Sequence, residues 1–318
     1  MLKEEMQKIG IGNTIFTRSR NIEKLLGFSK LFLKFEGGNP TGTMKDRASY
    51  ACLKLAESQG YDKLAIASCG NFGASFVGLA PHFGIEAHVF IPEGYHTPRI
   101  SEMRARGGVI NRASGTYEEV VEYSGREAVR RGWFNANPGV EAITRVSMEA
   151  YSTISHEIYD RLGYAPNAVA VPVGNGTTLA GIHEGFAELM RKRETERVPA
   201  MIGASTPGGN PVMECFLEGE RSIRDIDPSG ITETEYNEPL VSWRSLDGQE
   251  AINALWESGG WAAYVSDEKM LEFSEILAQE EGLWVLPASA SALVALAEYA
   301  SKRGEGGAYV AVLTGRKG

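Results

Sequence analysis

The chain has 318 residues, 43% hydrophobic and 23% charged, and carries a formal charge of −9. This is the composition of a soluble globular protein long enough for two ordinary domains, and its acidity, with no long run of Lys or Arg, argues against a nucleic-acid surface. No apolar run approaches a membrane span, and no signal peptide is evident. Three scattered cysteines (Cys52, Cys69 and Cys215) predict free thiols in a reducing cytoplasm rather than a disulfide framework.

In chain order, residues 31–35 read as a strand. The run EGGNPTGTMKDR (36–47) follows, in which residues 39–42 form a turn and Lys45 stands at or near the start of a helix. A lysine at such a strand-to-helix turn can form a Schiff base with an aldehyde. Gly37 and Gly42 have the separation of a phosphate-binding P-loop, but Thr43 stands where that motif needs lysine, so a nucleotide P-loop is excluded.

From residue 63 strands and helices alternate: strand 64–68, helix from about 74 to 83, strand 86–91, helix 98–106, strand 109–113, helix 117–131 and strand 133–135. A second series comprises a helix from about 145 to 162, strand 168–173, helix from about 179 to 192 and strand 200–206. Residues 207–247 have little periodicity. Ser266 reads as the N-cap of a helix ending near 281, followed by strand 283–286, helix 289–302 and strand 308–313. The alternation predicts parallel sheets covered on both faces, with ligands beyond the carboxyl ends of the strands. Five histidines show no zinc spacing, so no metal site is expected.

Four turns at expected strand ends carry chemistry. The first holds Lys45. The second, Ser68-Cys69-Gly70-Asn71-Phe72-Gly73, is rich in small residues and backbone N–H groups that suit a carboxylate, and Asn71 can donate to a phenolic oxygen. The third, Gly174-Asn175-Gly176-Thr177-Thr178, suits a phosphate dianion at a helix start but lacks the dinucleotide spacing. The fourth is Thr314, whose hydroxyl could meet a ring nitrogen. Lysine for an aldehyde, loop for a phosphate, asparagine for a phenol and hydroxyl for a ring nitrogen are together the anchors of pyridoxal 5'-phosphate.

On these turns, and on AVPVGNGTTLAGIHEGF (170–186), PLVSW (239–243), SGGWAAYVSDEK (258–269), EEGLWVLPASASALVAL (280–296) and VLTGRKG (312–318), the chain resembles the fold type II pyridoxal-phosphate enzymes, threonine synthases above all. The resemblance implies two doubly wound α/β domains with the active site between them: a large cofactor domain of residues 1–47 plus 143–318, and a smaller one of 48–142 with the substrate carboxylate loop. It implies Lys45 as the Schiff-base and catalytic residue, with Asn71, Gly174, Asn175, Gly176, Thr177, Thr178 and Thr314 around the cofactor. Ser68 to Gly73 would take the amino-acid substrate. A cytoplasmic homodimer is implied, without nucleic acid or membrane. The chain departs from the threonine synthases at Phe72, where they have a hydroxyl, and after Asn137-Pro138, where they carry Arg and Lys; Arg145 and Arg99 are the candidate cations here. The alternatives are β-elimination or β-replacement on serine, O-phosphoserine or threonine, and a non-catalytic cofactor-binding protein.

Overall fold

In the structure, a computed structural model, residues 2–303 and 306–317 are described; Gly318, the last residue of the VLTGRKG stretch, lies outside the described residues. The chain begins with α1 (Leu2–Lys8), β1 (Ile15–Arg18), α2 (Arg20–Leu26) and β2 (Lys30–Phe35). Past the glycine-rich turn come α3 (Lys45–Ser58), β3 (Lys63–Ala67), α4 (Asn71–Leu79), β4 (Glu86–Pro92), α5 (Pro98–Ala105), β5 (Val109–Ala113), α6 (Tyr117–Arg131) and β6 (Phe134–Asn135). The long α7 (Glu141–Leu162) leads to β7 (Ala168–Pro172), α8 (Thr177–Arg191), β8 (Ala200–Ser205), α9 (Pro211–Leu217) and α10 (Gly248–Glu257). Last are β9 (Trp261–Tyr264), α11 (Asp267–Glu281), α12 (Pro287–Arg303) and β10 (Ala308–Leu313).

Helix ends follow local chemistry. Thr116 and Glu119 form a reciprocal capping box at the start of α6, and Gly132, at φ 69°, ends that helix in the left-handed region. The Ser266 hydroxyl caps α11 by accepting from the Lys269 N–H.

The chain divides into two compact units, residues up to 11 with 39–150, and 12–38 with the residues from 151 on. The boundaries expected from the sequence lie after residues 47 and 142. In the first unit four parallel strands run in the order β5-β4-β3-β6. The strand KLAIA of β3 is buried over its last four residues, as expected of a strand covered on both faces. Leu64, Ile66, Val89 and Phe76 pack in its core with Leu53 of α3.

In the second unit six strands run in the order β1-β2-β10-β7-β8-β9; the β1–β2 pair is antiparallel and the other pairs are parallel. β7 and β10 are buried along their whole length. Leu31 and Leu33, Ala311, and Leu293 and Leu296 of α12 lie in one core.

Three expectations need correction. α7 starts at Glu141 rather than near Arg145, because the N–H groups of Ile143 and Thr144 already bond to the Val140 carbonyl. α4 starts at Asn71 rather than Ala74, since the Ala74 N–H closes the first turn on Gly70 O. Residues 283–286 form no strand. Gly282 ends α11 and Pro287 begins α12, leaving room for one antiparallel bridge, Val285 to Arg316.

One buried charge cluster ties the start of the second unit to α7. The Lys34 ammonium, wholly buried, lies 2.6 Å from Glu157 Oε2 and 3.5 Å from Glu36 Oε1, and it donates to the Thr14 hydroxyl. Thr14 in turn donates to Glu36 at 2.6 Å, and Asn13 N–H to Glu157 at 2.9 Å. Removing one partner of a buried ion pair strands the others at a cost of about 3–5 kcal/mol. Lys34→Met is therefore expected to lower the unfolding free energy by about that much, measured by urea denaturation. A loss under about 1 kcal/mol would show that the carboxylates do not depend on Lys34.

Candidate active site

In the first unit Lys45 is the first residue of α3, half-buried, with its N–H 3.4 Å from the Thr43 hydroxyl. Its amine lies 5.1 Å from the centroid of the Phe72 ring, which leans on Phe76 at 4.9 Å. Thus the structure brings together two of the turns singled out in the sequence. Within the second turn, the Gly73 N–H donates to Ser68 Oγ at 2.9 Å, and a Cβ on Gly73 would sit 3.0 Å from Ser68 O. Asn71 opens α4, while the Cys69 carbonyl accepts from the Thr97 hydroxyl at 2.9 Å.

Asp46, which the sequence did not single out, joins the first of these turns to α4. Its fully buried carboxylate accepts from Thr41 N–H and Ser75 Oγ, both at 2.7 Å, and from the Thr41 hydroxyl. Thr41 belongs to the glycine-rich turn and Ser75 to α4. Burial pushes the Asp46 carboxyl above the ordinary 3.8; the bonds from Ser75 and Thr41 and the charge of Arg99 oppose that shift. Among the described residues, the Ser49 hydroxyl, one turn beyond Lys45, is buried without a hydrogen-bond partner. Of the two candidate cations, Arg99 is paired with Glu102 at 2.5 Å, and Arg145 is exposed on α7.

In the second unit β2, β10 and β7 lie side by side and parallel, so their carboxyl ends share one edge. The 174–178 turn leaves β7 there and Thr314 leaves β10. Gly176 has φ +87°, and an added Cβ would lie 2.4 Å from Ala251 Cβ; one on Gly174 would lie 2.6 Å from Pro239 O. Glycine is required at both. The first turn of α8 lies ahead of the bond from Ala180 N–H to Gly176 O, the place where a helix presents N–H groups to anions. The Thr177 hydroxyl donates to Asp247 at 2.8 Å, and Asn175 is held by Ser245 Oγ at its carbonyl and by Leu246 N–H at its side chain. Thr314 Oγ1 is 2.8 Å from Ser289 Oγ, which also accepts from Gly315 N–H. Asp247 and Ser289 are the neighbours missed here. The only sequence signals were the Asp-Gly at the start of α10 and the small residues opening α12.

The pyridoxal-phosphate dependent enzyme family matches residues 8–315. The chain belongs to that family. Relatives include the threonine synthase of Methanocaldococcus jannaschii, 30% identical over 93% of this chain and 72% of that protein. The threonine synthase of Synechocystis sp. is 29% identical over 96% and 76%. Among solved structures, the processed form of threonine deaminase isoform 2 from Solanum lycopersicum superposes with TM-score 0.80 at 16% identity, covering 98% of this chain and 86% of that one. Maize serine racemase gives 0.81 at 18%, over 100% and 94%. The fold is that of the fold type II family, and the cofactor is pyridoxal 5'-phosphate. Each unit holds groups of the kind this cofactor needs: in the first a half-buried amine, in the second a glycine turn at a helix start and a pair of neutral hydroxyls.

Two outcomes follow from this geometry. Because the folded protein keeps the Asp46 proton to higher pH than the unfolded chain, the contribution of Asp46 to stability is complete below the unfolded value and fades as pH rises through its raised value. Urea unfolding from about pH 4 to about pH 7 should therefore show the wild type losing stability relative to Asp46→Asn as pH rises; a constant difference refutes the shift. Gly176→Ala should weaken binding of pyridoxal phosphate to the cofactor-free protein by about ten-fold or more, through strain at φ +87° and displacement of the turn by Ala251. Titration by fluorescence checks it.

Proposed function

We propose that the chain is a threonine synthase-like lyase, converting O-phosphohomoserine and water to threonine and phosphate. The reading is carried by Lys45 beside the 68–73 turn, in a chain 30% identical to a threonine synthase over 299 residues. In this reading Lys45 would hold the cofactor through its aldehyde carbon, Asn71 would face the phenolic oxygen, the 174–178 turn would take the phosphate and Thr314 would face the ring nitrogen. Bound there, the cofactor supplies an electron sink at the substrate α-carbon. The Lys45 amine would take and return the protons at the substrate α- and β-carbons. The 68–73 turn offers backbone N–H groups to the substrate carboxylate at the start of α4. Paired hydroxyls at the ring nitrogen, in place of a carboxylate, keep that nitrogen less protonated. The working form in this reading is a cytoplasmic homodimer.

A second reading, β-elimination or β-replacement on serine, O-phosphoserine or threonine, is favoured by one observation. Phe72 puts an aromatic face, with no hydrogen-bond donor, next to the Lys45 amine, and Arg99 is already engaged by Glu102. A phosphorylated side chain needs charge-assisted donors.

The test is a substrate screen with the wild type and Lys45→Ala. The wild type should show a visible cofactor band, and borohydride should fix the cofactor to Lys45; the variant should lose the band and activity by roughly a thousand-fold or more. Phosphate and threonine from O-phosphohomoserine support the first reading. A 2-oxo acid from serine or threonine, with no threonine from the phosphoester, replaces it with the second. A spectral change without product from any amino acid leaves only a non-catalytic binding protein, and a wild type with no band after cofactor addition overturns all three.

A further inference from the structure

The single hydroxyl proton of Thr177 limits what the 174–178 turn can offer an anion. A threonine hydroxyl has one proton. Here that proton goes to Asp247 Oδ2 at 2.8 Å, with both side chains buried. While it does so, Thr177 cannot donate its hydroxyl to a phosphate oxygen and can offer an anion only its backbone N–H. Asp247 stands at the N-cap of α10 yet makes no side-chain cap bond to that helix; its carboxylate is turned to Thr177 of α8 instead. Its neighbours do the same for the rest of the turn: Ser245 Oγ donates to Asn175 O at 3.0 Å, and Leu246 N–H to Asn175 Oδ1 at 3.3 Å. Residues 245–247 thus hold the turn from one side, and they bring a carboxylate next to it.

We propose that Asp247 is a positioning residue of the phosphate turn that accepts the Thr177 hydroxyl hydrogen bond and, by its charge, holds down the affinity of the turn for a phosphate dianion. At Thr177 the dianion then meets only the backbone N–H, and Asp247 sets how tightly the turn holds it. The inference rests on the reading of 174–178 as the phosphate site, and the two can fail separately.

The experiment uses cofactor-free protein with pyridoxine 5'-phosphate and pyridoxine. Neither has an aldehyde, so Lys45 makes no covalent bond to either, and the ratio of their affinities isolates the phosphate. Asp247→Asn keeps an oxygen that can accept from Thr177 and removes the charge. The ratio should rise by about ten-fold or more over the wild type. A merely structural role gives the opposite sign, because loosening the turn can only weaken phosphate binding.

A flat or lowered ratio in Asp247→Asn overturns the proposal. If the wild type binds the two compounds equally, the turn is not the phosphate site and the reading beneath the proposal falls with it.

Discussion

Parallel strands cannot be joined by hairpins, and this constraint shapes everything chemical in the chain. Each strand must leave the sheet at its carboxyl edge and return through a crossover. Helices cover the sheet faces, so that edge is where backbone N–H groups and short polar side chains remain available. β2, β3, β7 and β10 all end in turns holding residues of interest, and three of these strands are neighbours in one sheet. The adjacency of β10 and β7 puts Thr314 and the 174–178 turn on a common rim without any dedicated scaffold.

A recurring device fixes these turns. Thr14 donates its hydroxyl to Glu36, Thr41 to Asp46 and Thr177 to Asp247. In each case a buried or nearly buried carboxylate is supplied with a short, stiff donor whose β-branched side chain has few rotamers to lose. A buried carboxylate left without donors is costly, so each pair resists displacement. The same pairing limits chemistry, since a hydroxyl committed to a carboxylate has no proton for a ligand. At Asp46 the pairing has a second effect, because the residue beside Lys45 is held by bonds that reach across to α4.

Much of this was legible in the sequence. Residues 109–113, 117–131 and 308–313 match β5, α6 and β10 residue for residue; a cap and a terminal glycine mark the ends of α6, and an unbroken apolar run marks β10. The Lys45 turn, the 68–73 turn and the 174–178 turn all follow strands, as local glycine chemistry indicated. The elements α1, α2, α9, α10 and β9 escaped, and two further kinds of feature did too. The short edge strand β1 has the burial of a half-exposed ribbon and no strict alternation. The partners of the site residues lie far off in sequence: Asp247 is 70 residues from Thr177, and Ser289 is 25 from Thr314. No local pattern announces such pairs. Nor did it show that Phe72 places its ring at Lys45, since that depends on how α3 and α4 pack.

β10 comes last among the strands and lies between β2 and β7, hydrogen-bonded to both. Its pairing with β2 joins residues such as Leu31 and Tyr309, so the middle of the sheet is closed by partners nearly a whole chain apart. Until that strand arrives, β2 and β7 have no edge in common, and the rim carrying both Thr314 and the 174–178 turn does not exist. Loop closure over such a span is entropically slow. A growing chain would therefore build the first unit early and hold the second as two open sheet edges. Of the pairings in this sheet, β10 with β2 closes the longest loop.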